Sequence, residues 1–398
     1  MLCLLPSSQQ GSPLRISSPS RLSIMEFPRN QAAWLPAGSK RPLEVKSAPY
    51  TPPAANELVV KNAAIAVNSI EWTKQVVGNF LYDWIRCPFV IGNDLAGEVV
   101  EVGEKVTGFK LGDRVLAHAI SMDPTINKSS HGAFQEYTVV HAKLTSVIPD
   151  ALCYEEACVL PLGLSTAATA LFQTDFLALD HPTALGKSTR STVKTVIIWG
   201  GSTSVGSNAI QLASAAGYDV ITTASPKNFE YVKALGATNV FDYNSKSAVA
   251  DILNALRTKK PVGAIAIGNG STEACMEILA KADGSKFVAQ ISIPFPEKAP
   301  VTAWKLFIFI MGLMWWNISI YLKSVRCGVV TKFVFSSSLV HNEVGTMIYN
   351  KFLPNALARG EYRIVPKPVI VGKGLEQIQA ALDVHKKGVS AQKVVVSL

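Results

Sequence analysis

Residues 199–217 read WGGSTSVGSNAIQLASAAG, an apolar strand-like run that passes through glycines into a helical pattern. Such a turn is a ready anion site. Its glycines let the backbone approach a pyrophosphate, and the first turn of the helix presents unpaired N–H groups. Set against the spacing G-x-G-x-x-G, the chain offers Gly201, Thr203 and Gly206, with Thr in place of the middle glycine. Ser202, Thr203 and Ser204 carry hydroxyls able to donate to phosphate oxygens, and the backbone runs on through Val205 to Gly206. An ordinary strand–turn–helix gives as good a match by itself. The unbroken series of strands and helices that follows favours dinucleotide binding.

The choice of dinucleotide rests on the next strand, 219–224, which ends TTASPKNF. An NAD site wants an acid there for the ribose 2′-hydroxyl, and an NADP site wants a basic or polar pocket for the 2′-phosphate. No acid stands between Asp219, at the start of that strand, and Glu230. Ser225, Lys227 and Asn228 are the expected phosphate ligands and NADPH the expected cofactor. The plainer reading makes Lys227 the opening of a solvated helix.

The elements that must position this site lie on both sides of it. ELVVKNAAIAV (57–67) alternates apolar and polar residues, AGEVVEVGEKVTGFKLGDRVLA (96–117) holds two strand-like runs, and HGAFQEYTVV (131–140) another. These predict a small, mostly antiparallel β-barrel. ALCYEEACVLPLGLSTAATALF (151–172) has helical spacing. Strands at 195–200, 219–224, 239–243, 263–268 and 286–291 then alternate with helices at 204–216, 228–235, 248–257 and 273–280, and the tail gives a helix and a last strand. That alternation predicts βαβ units and a parallel sheet, so the fold class is α/β.

The 398 residues suffice for two domains, and 48% hydrophobic against 17% charged residues describes a chain able to bury large cores. The net charge of +9 is not gathered into a run of five or six basic residues, and no zinc-finger or RNP motif accompanies it, so nucleic acid is not an expected partner. The six cysteines form no CxxC pair, which suits free thiols in a reducing, cytoplasmic setting. Residues 1–24 are rich in Ser, Pro and Arg, lack acids and have too short an apolar start for a signal peptide. They are expected to be a disordered extension, with Met25 opening the folded part; a transit peptide is the alternative.

GNDLAGEVVEVGEKVTGFKLGDRV (92–115) closely resembles the N-terminal signature of the medium-chain dehydrogenase/reductase superfamily. NSIEW (68–72), HGAFQEY (131–137), LPLGLSTAATAL (160–171), the glycine turn and GLEQIQAALDVHKKG (374–388) fall in that family's order. The branch looks like quinone oxidoreductases and the enoyl reductases of polyketide pathways. The resemblance implies a GroES-like barrel from 25–163 and 340–398, interrupted by a Rossmann NADP-binding domain at 164–339, with the cofactor between them. It also implies that Lys227 and Tyr243 hold the 2′-phosphate and that Thr166 lies near the nicotinamide.

Departures from the family pattern bear on the chemistry. Zinc-binding relatives carry Cys where this chain has Asn68, and Gly-His-Glu where it has Gly92, Asn93 and Asp94. Amides are poor zinc ligands, and the loop 118–132 lacks the four-cysteine lobe, so no metal is expected. Many zinc-free relatives read NPVDWK; here NSIEWTK puts Thr73 at the lysine position and Lys74 after it. Without a metal, reduction of an activated alkene is the expected reaction, on a small apolar carbonyl-conjugated substrate. Asn68, Asn93, Thr166 and Lys74 are the candidates for its polar wall. Quinone reduction and non-catalytic NADPH binding are the alternatives.

One stretch stands apart. AWKLFIFIMGLMWWNISIYL (303–322) has a single charge in twenty residues, long enough to span a membrane. Its place within the order of Rossmann elements argues for a covered helix instead, lining the cleft or making a subunit contact, with Trp315 and Trp316 as bulky walls. Docking on a membrane surface is the alternative. The chain is expected to be a monomer or homodimer.

Overall fold

A computed structural model describes residues 28–37, 41–80, 82–182, 191–294 and 303–398. The extension 1–24 and the start at Met25 lie outside the described residues. Apolar runs bounded by glycine and proline produce three sheets. The largest orders its strands Lys367–Lys373, Gln392–Ser397, Glu57–Ala66, Asp94–Val102, Arg114–His118 and Thr145–Val147, with Tyr137–His141 also pairing Glu57–Ala66. All its pairings are antiparallel except that of Lys367–Lys373 with Gln392–Ser397. The chain's last strand thus returns to the barrel built by its first third. A small sheet of Asn30–Leu35, Glu44–Ala48 and Phe89–Val90 packs beside it.

The third sheet is wholly parallel, in the order Asn239–Asp242, Tyr218–Ala224, Ser191–Trp199, Lys260–Ala266, Phe287–Gln290 and Val330–Phe333. Strand order reverses at Ser191–Trp199, which leaves a crevice at the carboxyl ends of the strands. The helix Pro161–Phe172 joins barrel to sheet: Leu164, Ala167, Ala168 and Leu171 are fully buried in a core shared with Ile198, Ile210 and Leu339. Pro161 opens this helix, where its missing N–H costs nothing, and so splits the helical pattern 151–172 in two.

The apolar stretch forms one helix, Ala303–Cys327, and its setting corrects the expectation that it lines the cleft. One face lies against the helix Ser271–Lys281: Ile320 is buried, and the Trp316 indole N–H donates to Glu273 Oε1 at 3.0 Å. The opposite face holds Trp304, Phe307, Ile308, Met311, Met314, Trp315, Ile318, Tyr321 and Leu322, all exposed, with Trp315 73% accessible. Phe309 meets Phe80 edge to face, ring centroids 6.0 Å apart. An apolar run cannot say by itself which neighbour covers it; here the sheet-side helix covers one face and nothing described covers the other.

Candidate active site

The glycine turn adopts the geometry its sequence demands. A Cβ on Gly206 would stand 2.3 Å from the Gly200 carbonyl oxygen, and one on Gly201 2.2 Å from Thr222 Oγ1, so only glycine fits either place. Thr203, in the middle-glycine position, is the N-cap of the helix Ser204–Ala215. Its hydroxyl accepts from the Gly206 N–H at 3.0 Å and donates to the Gly200 oxygen at 2.8 Å. Its one proton is therefore spent inside the turn, which removes it from the donors expected for a phosphate. Ser204 Oγ, by contrast, is buried with no partner. Ser202, Thr203, Ser204 and Val205 all line one large cleft of about 960 Å³.

At one end of that cleft the strand Tyr218–Ala224 runs into Ser225, Lys227 and Asn228, faced by Tyr243 from the next strand's end. The Asn228 amide donates to Ser225 Oγ and to Ser390 Oγ, each at 3.2 Å, so the C-terminal loop 388–393 closes this end from the barrel side. The acids on these strands lie elsewhere. Asp219 is buried and paired with Lys259 at 3.1 Å, and Asp242 accepts from the backbone N–H of Asn244. Neither lines the cleft. The crevice, the orphaned Ser204 hydroxyl and the glycine approach fit a dinucleotide, whose pyrophosphate the turn would hold and whose adenosine ribose would lie toward Lys227.

The other end is a buried polar cluster. Asn68 begins the helix Ser69–Val77, where Glu71 Oε2 accepts the Asn68 backbone N–H at 2.5 Å. The Asn93 amide donates to Glu71 Oε1 at 2.6 Å, and the Asn68 amide to Asp94 Oδ2 at 3.0 Å. Asp94 Oδ1 accepts the Leu162 N–H at 2.6 Å, which ties the barrel to the helix carrying Thr166. Thr166 is 7% exposed and lines the cleft, but its hydroxyl donates to the Leu162 oxygen at 2.7 Å, leaving it as an acceptor. Burial pushes the Glu71 carboxyl up to about 7, with Asp94 adding to the rise against the Asn93 donor and the Lys393 charge. Burial pushes the His118 imidazole down to about 4, so it is neutral at pH 7.

Lys74 is not part of this cluster. It is buried one residue past Thr73, and its ammonium donates to the Gly78 oxygen at 3.0 Å and sits 5.6 Å from the Tyr82 ring centroid. Thr73 lines the cleft and Lys74 does not, because successive helical residues point about 100° apart. Conversely, Glu71 and Lys393 lie in the cluster with no signal in the sequence, and His118 joins them, a residue the sequence offers only as an ordinary histidine flanking the loop 118–132. Lys393 is 2% exposed; its Nζ lies 2.8 Å from Asp94 Oδ2 and also donates to Asn68 Oδ1.

This donor set does not suit zinc. Two of the three positions are amides already engaged with Glu71 and Asp94, and an ammonium occupies the space between Asn68 and Asp94. A divalent cation there would have to displace it against like charge. Among the described residues no three His, Cys, Asp or Glu side chains converge as a metal would need. Protein purified without chelator is expected to hold no stoichiometric zinc by elemental analysis; one tightly held zinc per chain would overturn that reading.

A glycine turn at the switch point of a parallel sheet, facing a barrel with a shared cleft, defines a two-domain nicotinamide-dependent oxidoreductase. Residues 54–150 match the alcohol dehydrogenase GroES-like domain and residues 204–311 the zinc-binding dehydrogenase domain. The chain is 51% identical over 374 residues to the dehydrogenase pigH of Monascus ruber, covering 94% of this chain and 100% of that one. It is 37% identical to the trans-enoyl reductase himH of Aspergillus japonicus, covering 93% and 97%. In structure it resembles the CurK enoyl reductase, with a TM-score of 0.66, 19% identity and coverage of 93% and 99%. The chain belongs to the medium-chain dehydrogenase/reductase family, with Asn68 and Asn93 in its GroES-like part where zinc-binding members carry metal ligands.

Proposed function

We propose that the protein is an NADPH-dependent reductase of an activated C=C, acting on an apolar enone or enoyl substrate without a metal. The observation that carries this reading is the polar cluster at the inner end of the cleft, where amides stand at the positions of metal ligands and an ammonium lies beside them. Bound in the cleft, the nicotinamide supplies a hydride. The residues of this chain then have to orient a conjugated carbonyl and stabilise charge on its oxygen. Ile70, Tyr82, Ile120, Met122, Ile293 and Phe335 line the same end and give it an apolar wall suited to a hydrocarbon body. Similarity to proteins named trans-enoyl reductase at 31–37% identity supports the same class of substrate.

NADPH consumption is the test, with matched panels of enones, saturated ketones and quinones. Enones are expected to be turned over and saturated ketones not. Turnover of quinones alone would replace the reading with two-electron quinone reduction. NADPH binding without turnover of any of them would make the protein a binding module.

We infer that the exposed face of Ala303–Cys327 docks on an anionic lipid surface while the catalytic body stays in the cytoplasm. The helix is the one among the described residues long and apolar enough to cross a membrane, yet only 6% of its most apolar window is buried. It carries Lys305, Lys323 and Arg326 and no acid, on a chain of net charge +9. A second copy would bring like charges together, whereas a bilayer with acidic headgroups complements them.

A further inference from the structure

Lys393 comes from the chain's last strand, Gln392–Ser397, yet its ammonium lies beside Asn68 and Asp94, which come from the first third of the sequence. An ammonium has three N–H groups. Asn68 Oδ1 takes one and Asp94 Oδ2 is the ion-pair partner at 2.8 Å, which leaves at least one N–H without a partner among the described residues. The lysine lines the cleft, and so does His118, whose Nδ1 is buried without a partner. Two unsatisfied polar groups at the closed end of an apolar cleft mark a place where an oxygen of a ligand belongs, because buried polar groups otherwise find partners.

We propose that the Lys393 ammonium takes the place of the metal and is the catalytic electrophile: its free N–H receives the carbonyl oxygen of the substrate. The proposal rests on the conjugated carbonyl substrate argued above. As the β-carbon gains a hydride, the alkene π pair moves through the α-carbon and negative charge gathers on the carbonyl oxygen. The cofactor leaves oxidised. The resulting enolate, held by Lys393, takes a proton from solvent at the α-carbon and becomes the saturated carbonyl compound. The ammonium is not consumed. Asp94 is a positioning residue, which holds the ammonium at the cleft wall and keeps its charge, and Asn68 fixes its direction.

Lys393→Met alone would leave the Asp94 carboxylate buried without a counter-charge, so the working variant is Lys393→Met with Asp94→Asn. Three measurements separate the possibilities. NADPH affinity of the double variant is expected within twofold of the parent, which shows that the cleft is intact. kcat on an enone is expected to fall on the order of 100-fold with KM within about threefold, the size of effect that loss of one oxyanion donor produces. The third reading needs no turnover. Acetophenone isotopically labelled at its carbonyl carbon is bound to the NADP⁺-loaded protein, and its carbonyl stretch is recorded by infrared difference spectroscopy. The parent is expected to move that band to lower frequency, and the double variant to return it toward its position in an apolar solvent. An unshifted band in the parent, or the same shift in both proteins, overturns the role of Lys393. So does a double variant that keeps kcat within threefold. Failure of the parent to reduce any enone would instead sink the reductase reading, whatever the carbonyl band shows.

Discussion

Lys227→Glu is expected to weaken NADPH binding by on the order of 100-fold and to leave NADH within about twofold. Lys227 lies in the short turn Pro226–Asn228 that follows the second strand of the parallel sheet, exposed on the rim of the cleft. Ser225, Asn228 and Tyr243 stand around it, and among the described residues the sole carboxylate lining the cleft is Asp123, already held by Ser337 and Thr125 at the substrate end. Among the described residues no carboxylate stands at the Lys227 end to repel a phosphate or to take both hydroxyls of a bare ribose. A charge-assisted hydrogen bond contributes roughly 1.5–3 kcal/mol, and exposure to salt trims it toward the lower figure. Lys227→Ala should therefore cost NADPH about tenfold, since ~1.4 kcal/mol is a factor of ten. Glutamate adds repulsion between like charges at the same distance, which brings the second factor of ten. Fluorescence titration of both cofactors against parent and variants measures this. Equal losses for NADPH and NADH would show that Lys227 shapes the turn and does not touch the 2′-phosphate.

Lys227 could be found from sequence because strand–turn–helix order alone brings it to the cleft. The same holds for Gly201 and Gly206, whose spacing reflects a local geometric demand, and for the alternation of elements that builds the parallel sheet. The inner end of the cleft was only half visible. Asn68, Asn93 and Thr166 line it, and each follows a recognisable run in the sequence. Lys74 was placed one helical position from the cleft because a motif gives neighbourhood but not facing; Thr73 lines the wall and Lys74 turns to the Gly78 carbonyl. Glu71 and Lys393 carried no local signal, and His118 only that of a histidine flanking a loop. Lys393 reaches Asn68 across a separation of 325 residues, and only the pairing of Gln392–Ser397 against Glu57–Ala66 brings them together. Thr203 shows the opposite failure. Its hydroxyl suggested a phosphate donor, but a threonine that begins a helix satisfies the backbone first.

The largest consequence for behaviour in the cell attaches to the helix Ala303–Cys327. Its exposed apolar face is expected to bring the protein onto vesicles containing phosphatidylserine and to leave it in solution with purely zwitterionic ones at physiological salt. Replacing Trp304, Phe307, Met311 and Trp315 together with serine removes four side chains that are all exposed in the protein as described. The substitutions therefore leave the packed face, with Ile320 and the Trp316–Glu273 bond, untouched. Half-burial of such side chains in a headgroup region is worth roughly 1 kcal/mol each, so the set should lower vesicle partitioning by about a thousandfold. The melting temperature and kcat should stay near the parent's, because none of the four lines the cleft. Salt should weaken binding of the parent through Lys305 and Arg326, since attraction to acidic headgroups is screened within a Debye length. Vesicle flotation with sedimentation of the free protein separates the occupants. A parent that ignores acidic vesicles and instead dimerises through this face, with the serine variant monomeric, would assign the helix to a second copy. A parent that stays in membranes after high-salt washing would mean that the helix inserts and does not merely rest on the surface. In either case the docking reading would be wrong.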